Sequence, residues 1–109
     1  MSNIQYSLSY LPLFYNDLEN HVMYIAKVLK NPDAANNLLD DIEKAIKERL
    51  PVAEAFEPYH SKKERKYPYY RIYVKNYTIY YVVIPQRDNR KIMEVRRILH
   101  NLQDREKYI

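Results

Sequence analysis

The sequence predicts one α+β domain over residues 1–109, with a helical hairpin packed on a mostly antiparallel four-stranded sheet. Three observations lead to this class. Two amphipathic helix patterns follow a short first strand, three strand-like runs follow the helices, and 109 residues suffice for one core. The expected order is β-α-α-β-β-β, and the last residues allow a short C-terminal helix.

The first strand and first helix are predicted from periodicity. Residues 4–9 alternate apolar and polar side chains, as a half-buried strand does. Pro12 suits the first turn of a helix, where its missing N–H has no intrahelical acceptor. A helix over 11–29 would then carry one apolar stripe made of Phe14, Leu18, Val22, Ile25 and Leu29.

The second helix has marked ends. Asn31 is a favourable N-cap, Pro32 fits the first turn and Asp33 complements the positive end of the helix dipole. Pro51 ends the pattern. The predicted buried stripe consists of Ala35, Leu38, Ile42, Ala45, Ile46 and Leu50.

The later strands are predicted at 69–75, 77–84 and 92–99, in runs rich in aromatic and β-branched residues. Residues 51–68 contain three prolines and read as irregular. Because the chain has no glycine, Asn76 is expected to supply the positive φ of the tight turn between the first two runs.

The period of two divides the first of these strands into two faces. If the helices cover Ile72, the open face carries Tyr69, Arg71, Tyr73 and Lys75. In the last strand, Val95 and Ile98 are three residues apart. Both can face the core only if a β-bulge lies near Arg96 and Arg97.

Composition and charge point to a polyanionic partner. Residues 1–55 carry five Lys/Arg against eight Asp/Glu, a net of −3, whereas residues 56–109 carry thirteen against six, a net of +7. A basic half with many of the 13 tyrosines favours nucleic-acid contact, although a solvated basic surface gives the same count. The sequence lacks cysteine, a signal peptide and a membrane-spanning run, so we expect a cytoplasmic protein.

Three segments together carry a family likeness: the helix pair broken by NPDAA, the run YYRIYVKNYTIYYVV and the closing RRILHNLQD. In order and spacing they resemble the RelE/ParE toxins of bacterial type II toxin–antitoxin pairs, over nearly the whole chain. One departure is the pair Leu102 and Gln103, where members of the family often carry two arginines.

The resemblance implies a growth inhibitor neutralised by a cognate antitoxin, and it leaves the target open. RelE-like toxins cut mRNA in the ribosomal A site, whereas ParE-like toxins poison DNA gyrase without a catalytic site. A diverged, inactive toxin is a third alternative. Our first hypothesis from the sequence is a ribosome-dependent endoribonuclease, with the ribosome and mRNA as further partners.

The candidate catalytic residues are Arg71, Arg97 and His100, at positions that resemble the arginines and the histidine of the family. Guanidinium groups hold phosphate oxygens by paired hydrogen bonds, and histidine exchanges protons near neutral pH. The alternative for each is a structural or antitoxin-facing role. Candidate nucleic-acid contacts are Lys62, Lys63, Arg65, Lys66, Lys75 and Tyr108. We expect no metal site and no small-molecule cofactor, because three scattered histidines and no cysteines give no ligand spacing.

Overall fold

The computed structural model describes residues 3–59 and 66–109. A helical hairpin packs on one face of a four-stranded sheet, in the order that the sequence predicts. The strands are β1 (Gln5–Tyr10), β2 (Tyr70–Val74), β3 (Tyr77–Pro85) and β4 (Arg90–His100). The helices are α1 (Pro12–Met23), α2 (Pro32–Arg49) and the short α3 (Arg105–Tyr108).

The sheet is mixed and has the strand order β1-β4-β3-β2. The pairs β2–β3 and β3–β4 are antiparallel, and β1 lies parallel to β4. The register of β3 against β4 shifts between Tyr80 and Tyr81, which oppose Arg97 and Val95, so Arg96 is the extra residue of a β-bulge. The bulge predicted from sequence is confirmed, and both Val95 and Ile98 are fully buried.

The first helix departs from the prediction at its end. It is α-helical to Met23 and continues as a π-helix over Tyr24–Val28, where Leu29 N–H donates to the carbonyl of Tyr24. A π turn contains one residue more than an α turn, and one residue corresponds to about 100° of rotation. Leu29 therefore leaves the buried stripe and is exposed, so its predicted place in the core is wrong.

The second helix follows the prediction closely. The side-chain oxygen of Asn31 accepts a hydrogen bond from Ala34 N–H at 3.1 Å, which makes Asn31 the N-cap. A 3-10 turn, Leu50–Val52, follows Arg49. The stripe that the helix buries against the sheet consists of Ala35, Leu38, Ile42 and Ile46.

A polar network fixes the segment after the 3-10 turn to the first and last strands. Glu54 accepts hydrogen bonds from the Tyr6 hydroxyl at 2.8 Å and from Lys91 at 2.6 Å. Burial and the bond to Glu54 raise the pKa of Tyr6 to about 12. The Tyr81 hydroxyl donates to the carbonyl of Ala53 at 2.6 Å, so the turn is held from two sides.

The β2–β3 turn differs from the prediction in one residue. The positive φ falls on Lys75, at 51°, and not on Asn76. A lysine in this region carries a steric cost that glycine would avoid. The carbonyl of Asn76 accepts a hydrogen bond from Asn101 N–H, so the turn is tied to the end of β4.

The outer face of the sheet, opposite the helices, is less open than the sequence suggested. It has its own buried cluster of Tyr69, Tyr80, Val82, Leu99 and Ile109. Ile109, which follows α3, is fully buried there, and Tyr59 and Tyr67 pack against the same cluster. The segment after β4 therefore covers apolar strand residues that we expected to be bare.

Candidate functional site on the outer face of the sheet

The two candidate arginines lie in one row across the sheet. Arg71 on β2 pairs in register with Tyr80 on β3, and Tyr80 pairs with Arg97 on β4. Their backbones are therefore two strand spacings apart, about 10 Å. Their side chains, however, have different partners.

Arg97 is held by a carboxylate from α1. Its Nε and Nη2 donate to the two oxygens of Asp17 at 2.7 and 2.8 Å, with side-chain exposures of 15% for Arg97 and 12% for Asp17. The hydrogen bonds to Asp17 raise the pKa of Arg97. This bidentate pair neutralises the arginine and occupies its Nε–Nη2 edge, so Asp17 leaves only the remaining N–H groups of Nη1 and Nη2.

The Asp17 carboxylate also binds the edge of β4. The parallel strand β1 accompanies β4 only as far as Val95, so the residues after it lack a strand neighbour on that side. Asp17 accepts a hydrogen bond from Ile98 N–H at 3.2 Å, and Nε2 of His21 donates to the Ile98 carbonyl at 2.8 Å. Because a carbonyl only accepts, the Nε2 atom of His21 carries a proton.

Arg71 belongs to a different cluster. Its guanidinium lies 4.9 Å from the ring centre of Tyr59, and Arg105 lies 5.0 Å from the same ring. The ring centre of Tyr73, a residue that is 63% exposed, lies 5.8 Å from the guanidinium of Arg71. Among residues 3–59 and 66–109, no ion pair joins Arg71 or Arg105 to a carboxylate. The two guanidinium groups and the tyrosine rings therefore form an open cationic, aromatic surface.

His100 ends β4 and is only half-buried. Its Nδ1 accepts a hydrogen bond from Leu102 N–H at 3.1 Å, and its ring meets Tyr77 edge-on at 5.1 Å. The neutral ring therefore carries its proton on Nε2. In this tautomer Nε2–H can donate a hydrogen bond. To transfer that proton, the ring must first be protonated on Nδ1, which ends the bond from Leu102 N–H.

A cleft of about 500 Å³, the outer cleft, lies on this face of the sheet and includes part of the cationic surface. His100 and Arg105 both line it, together with Tyr73, Tyr80, Asp104 and Glu106. Burial raises the pKa of Tyr80, and the nearby Arg105 opposes that shift. The cleft thus brings His100 together with Arg105, a residue that sequence reasoning missed, and not with Arg97.

The remaining candidates fall into three groups. Lys62, Lys63 and Arg65 lie outside the described residues. Lys66 is exposed beside the Tyr67 ring at 5.5 Å, and Lys75 forms an ion pair with Asp41 at 3.0 Å. The Tyr108 ring lies 5.1 Å from the guanidinium of Arg97, at the Asp17 side of the row.

Two further partners were not identified from the sequence. Asp17 lies 80 positions from the arginine that it binds, and the sequence analysis assigned it no role. Tyr59 lay in the segment predicted as irregular. The spacing of Asp17 and His21 by one helical turn is a signal for a shared helix face, but nothing in the sequence shows that β4 lies against it.

Within the described ranges, no group of three or more His, Cys, Asp or Glu side chains is placed to hold a metal ion. None of the helices in those ranges has the length and hydropathy required to cross a bilayer.

A helical hairpin on a four-stranded sheet, with a basic and tyrosine-rich outer face, agrees with the RelE/ParE-like class of small toxins. A family model described as the ParE toxin of the type II toxin–antitoxin system, parDE, matches residues 8–105. The chain therefore belongs to this family, as a toxin of a type II toxin–antitoxin system with a cognate antitoxin as partner. No curated protein sequence matches the chain significantly.

Proposed function

We propose that this toxin arrests growth in the cytoplasm by binding DNA gyrase, without cleaving RNA. The observation that carries the proposal is the Arg97–Asp17 pair. A phosphate group at Arg97 would have to compete with a largely buried carboxylate that already neutralises the guanidinium and occupies its Nε–Nη2 edge. The residue that we expected to stabilise a transition state is therefore engaged in holding α1 to the sheet.

The family description supports the same choice. The matching family is that of the ParE toxin. In the RelE/ParE resemblance, the ParE-like branch acts on gyrase by binding and has no catalytic site of its own. Because one fold serves both branches, the site and not the fold must decide between them.

The open surface supplies what a binding toxin needs. Among residues 3–59 and 66–109, Arg71 and Arg105 have aromatic neighbours and no carboxylate ion pair, and Tyr73 is exposed beside Arg71, a composition enriched in protein interfaces. Gyrase works on DNA, and exposed cations are suited to a partner that carries phosphates.

The test compares two reactions with the same purified toxin. Added to a gyrase supercoiling assay, the toxin is expected to inhibit supercoiling and to trap linear DNA, while messages in a coupled translation reaction stay intact. Arg71→Ala should raise the toxin concentration needed for half-inhibition at least about tenfold, because it removes a central charged contact. The matched control is Arg87→Ala, which removes an equal charge from the exposed turn before β4.

Two results would contradict the proposal. Message cleavage with normal supercoiling would assign the toxin to the ribosome. Equal inhibition by Arg71→Ala and wild type would show that the outer face does not contact gyrase.

The second candidate, a ribosome-dependent endoribonuclease, is favoured by one observation: His100 and Arg105 line the same cleft. There the His100 imidazolium, formed when Nδ1 exchanges the Leu102 N–H for a proton, would give the proton on Nε2 to the leaving 5′-oxygen. Water would take the proton of the attacking 2′-hydroxyl, and Arg105, with Arg71 nearby, would neutralise the phosphate. Under this alternative, His100→Ala and Arg105→Ala each abolish A-site message cleavage, whereas Arg97→Lys, which keeps the charge beside Asp17, retains it.

A further inference from the structure

The two outermost strands of the sheet, β1 and β2, differ in how their outward backbone groups are used. Along β2, the carbonyl of Arg71 accepts a hydrogen bond from Nη1 of Arg49 at 2.9 Å. Just before β2, the carbonyl of Tyr69 accepts one from Tyr59 N–H. Both carbonyls are therefore closed to a further strand on this side.

The hydrogen bonds of β1 show which of its backbone groups stay free. The N–H groups of Gln5 and Leu11 both donate to carbonyls on the β4 side at 2.9 Å. In a parallel ladder every second residue bonds to the same neighbour, so the odd-numbered residues of β1 serve β4. The backbone groups of Tyr6, Leu8 and Tyr10 point away from the sheet. Over the two stretches that the structure covers, 3–59 and 66–109, no other backbone group bonds to them.

The side chains of β1 do not protect this edge. Its sequence, QYSLSY, contains no charged residue and no proline, two of the features that discourage pairing at the edge of a sheet. The even-numbered side chains pack against the main core. The odd-numbered ones, Gln5, Ser7 and Ser9, lie on the outer face and are small or neutral. The strand therefore presents an uncharged edge.

Exposed apolar side chains flank the same edge. Ile4, just before β1, is 40% exposed, and Leu13 and Tyr15, at the start of α1, are 50% and 54% exposed. The ring of Tyr15 contacts the ring of Tyr10 at 5.5 Å, so this apolar surface continues from the end of β1. Free backbone groups and uncovered apolar side chains together mark an interaction surface.

We propose that β1 pairs with β1 of a second copy of this chain, antiparallel and about a two-fold axis at Leu8. In this register Leu8 lies opposite Leu8 of the second copy, and Tyr6 lies opposite Tyr10. All the outward groups then form hydrogen-bonded pairs, with about six backbone bonds in total. A two-fold contact of this kind uses the same surface in both copies, so the assembly closes as a dimer.

The charges near β1 permit this self-pairing. One ion pair lies at each end of the strand, Glu54–Lys91 near its start and Glu43–Lys47 near its end. The start of one strand meets the end of the other in the dimer. Because each ion pair is neutral as a whole, the two ends do not repel each other.

The same register covers the flanking apolar side chains. Ile4 of one copy lies opposite Pro12 of the other, at the start of α1, where Leu13 is exposed. Burial of these side chains adds to the stabilisation by the backbone hydrogen bonds. A strand of a different protein would make each contact once, whereas the two-fold pair makes each contact twice.

The symmetry also arranges the candidate functional surfaces. The two-fold axis is perpendicular to the sheet, so the sheet continues across both copies and all the helices lie on one side. The cationic, aromatic surfaces at Arg71 and Arg105 then face the other side, one in each copy. The inference does not depend on the proposed function, because self-association is measured without a target.

The experiment measures the mass of the free full-length toxin over a concentration series by sedimentation equilibrium. Wild type should be mainly dimeric at about 100 μM. Ser7 and Ser9 oppose each other across the axis as a non-hydrogen-bonded pair, whose side chains are close. Ser7→Lys/Ser9→Lys puts like charges opposite each other twice and should raise the dissociation constant at least about tenfold.

The matched control is Ser7→Glu/Ser9→Lys, which changes the same positions but places opposite charges face to face. Its dissociation constant should stay within about threefold of wild type. Circular dichroism checks the fold of both variants. Loss of the dimer in both variants, or in neither, would overturn the proposed register, and a wild type that stays monomeric at about 1 mM would overturn the proposal as a whole.

Amide hydrogen exchange of the wild type provides a second measurement that needs no variant. The N–H groups of Tyr6, Leu8 and Tyr10 should exchange at least about tenfold more slowly above the dissociation constant than below it. A dimer in which these amides exchange as they do in the monomer would place the contact on a different surface. Slow exchange that appears only after the antitoxin or gyrase is added would assign the edge to that partner, and either result would overturn the proposal.

Discussion

The two ends of one row across the sheet hold the same residue type in opposite situations. At the β4 end, Arg97 binds Asp17 through two hydrogen bonds and is largely buried. At the β2 end, Arg71 lies against the rings of Tyr59 and Tyr73 and belongs to no ion pair in the described part of the chain. The difference originates in a neighbouring element, since α1 reaches the β4 end and supplies a carboxylate.

The comparison teaches that position in a motif does not by itself give an arginine its role. Both arginines match the family pattern in the sequence, yet in the described part of the chain only Arg97 has its charge neutralised by a carboxylate. Availability depends on which distant side chain arrives, and this is a property of packing and not of the motif.

The largest expected effect, and the strongest test of the contrast between the two arginines, is that of Arg97→Ala. It leaves the half-buried Asp17 carboxylate without its cation, and we expect the free energy of unfolding to fall by about 3 kcal/mol. Urea denaturation of the variant and of the double variant Asp17→Asn/Arg97→Gln measures the effect, and the neutral pair should lose less. A loss below about 1 kcal/mol for Arg97→Ala, together with abolished activity, would instead assign Arg97 to function.

A third network, at Glu54, offers an intermediate case because its ion pair is more exposed. The pKa of Tyr6 is raised to about 12 in the folded state by burial and by its bond to Glu54, while an unfolded tyrosine titrates near 10. The unfolded chain therefore releases its proton first as the pH rises. The contribution of the Tyr6–Glu54 hydrogen bond to the free energy of unfolding is complete below pH 10 and is lost between about pH 10 and 12.

Because water screens this bond, we expect the loss to be about 1 kcal/mol. Thermal unfolding across this pH range should decline less steeply for Tyr6→Phe than for wild type. Parallel curves for the two proteins would show that Tyr6 does not titrate differently on folding.

The smallest stability effect is expected for Arg71→Ala. Its guanidinium has aromatic neighbours and no carboxylate partner in the described ranges, so the free energy of unfolding should change by less than about 0.5 kcal/mol. Urea denaturation beside the gyrase assay checks this. Destabilisation as large as that of Arg97→Ala would erase the contrast between the two ends of the row.

Much of the fold could be predicted from local sequence patterns. The N-cap at Asn31, the α2 stripe and the three later strands depend on near neighbours, and the bulge near Arg96 follows from the spacing of Val95 and Ile98. The π turn at Tyr24–Val28 and the positive φ at Lys75 were not predicted, because neither residue pattern departs from that of an ordinary helix or turn.

The candidate site was harder to predict because its partners come from distant parts of the chain. Arg97 meets Asp17 across 80 positions, and Arg71 meets Tyr59 through a segment with no periodicity. The sequence placed Arg105 in the possible terminal helix and gave it no role. It reaches Tyr59 only because the segment after β4 folds over the outer face of the sheet. Such contacts depend on tertiary packing, which local propensity does not encode.

The hydrogen bonds from Asp17 and His21 to Ile98 have a consequence for association between chains. An uncovered strand edge is a template on which another chain can add a strand and begin to aggregate. Here two side chains of a helix occupy the N–H and the carbonyl that such a strand would use. Sheet extension by a foreign strand is thereby blocked along this stretch of β4, and a partner that adds a strand must use one of the outer strands, β1 or β2.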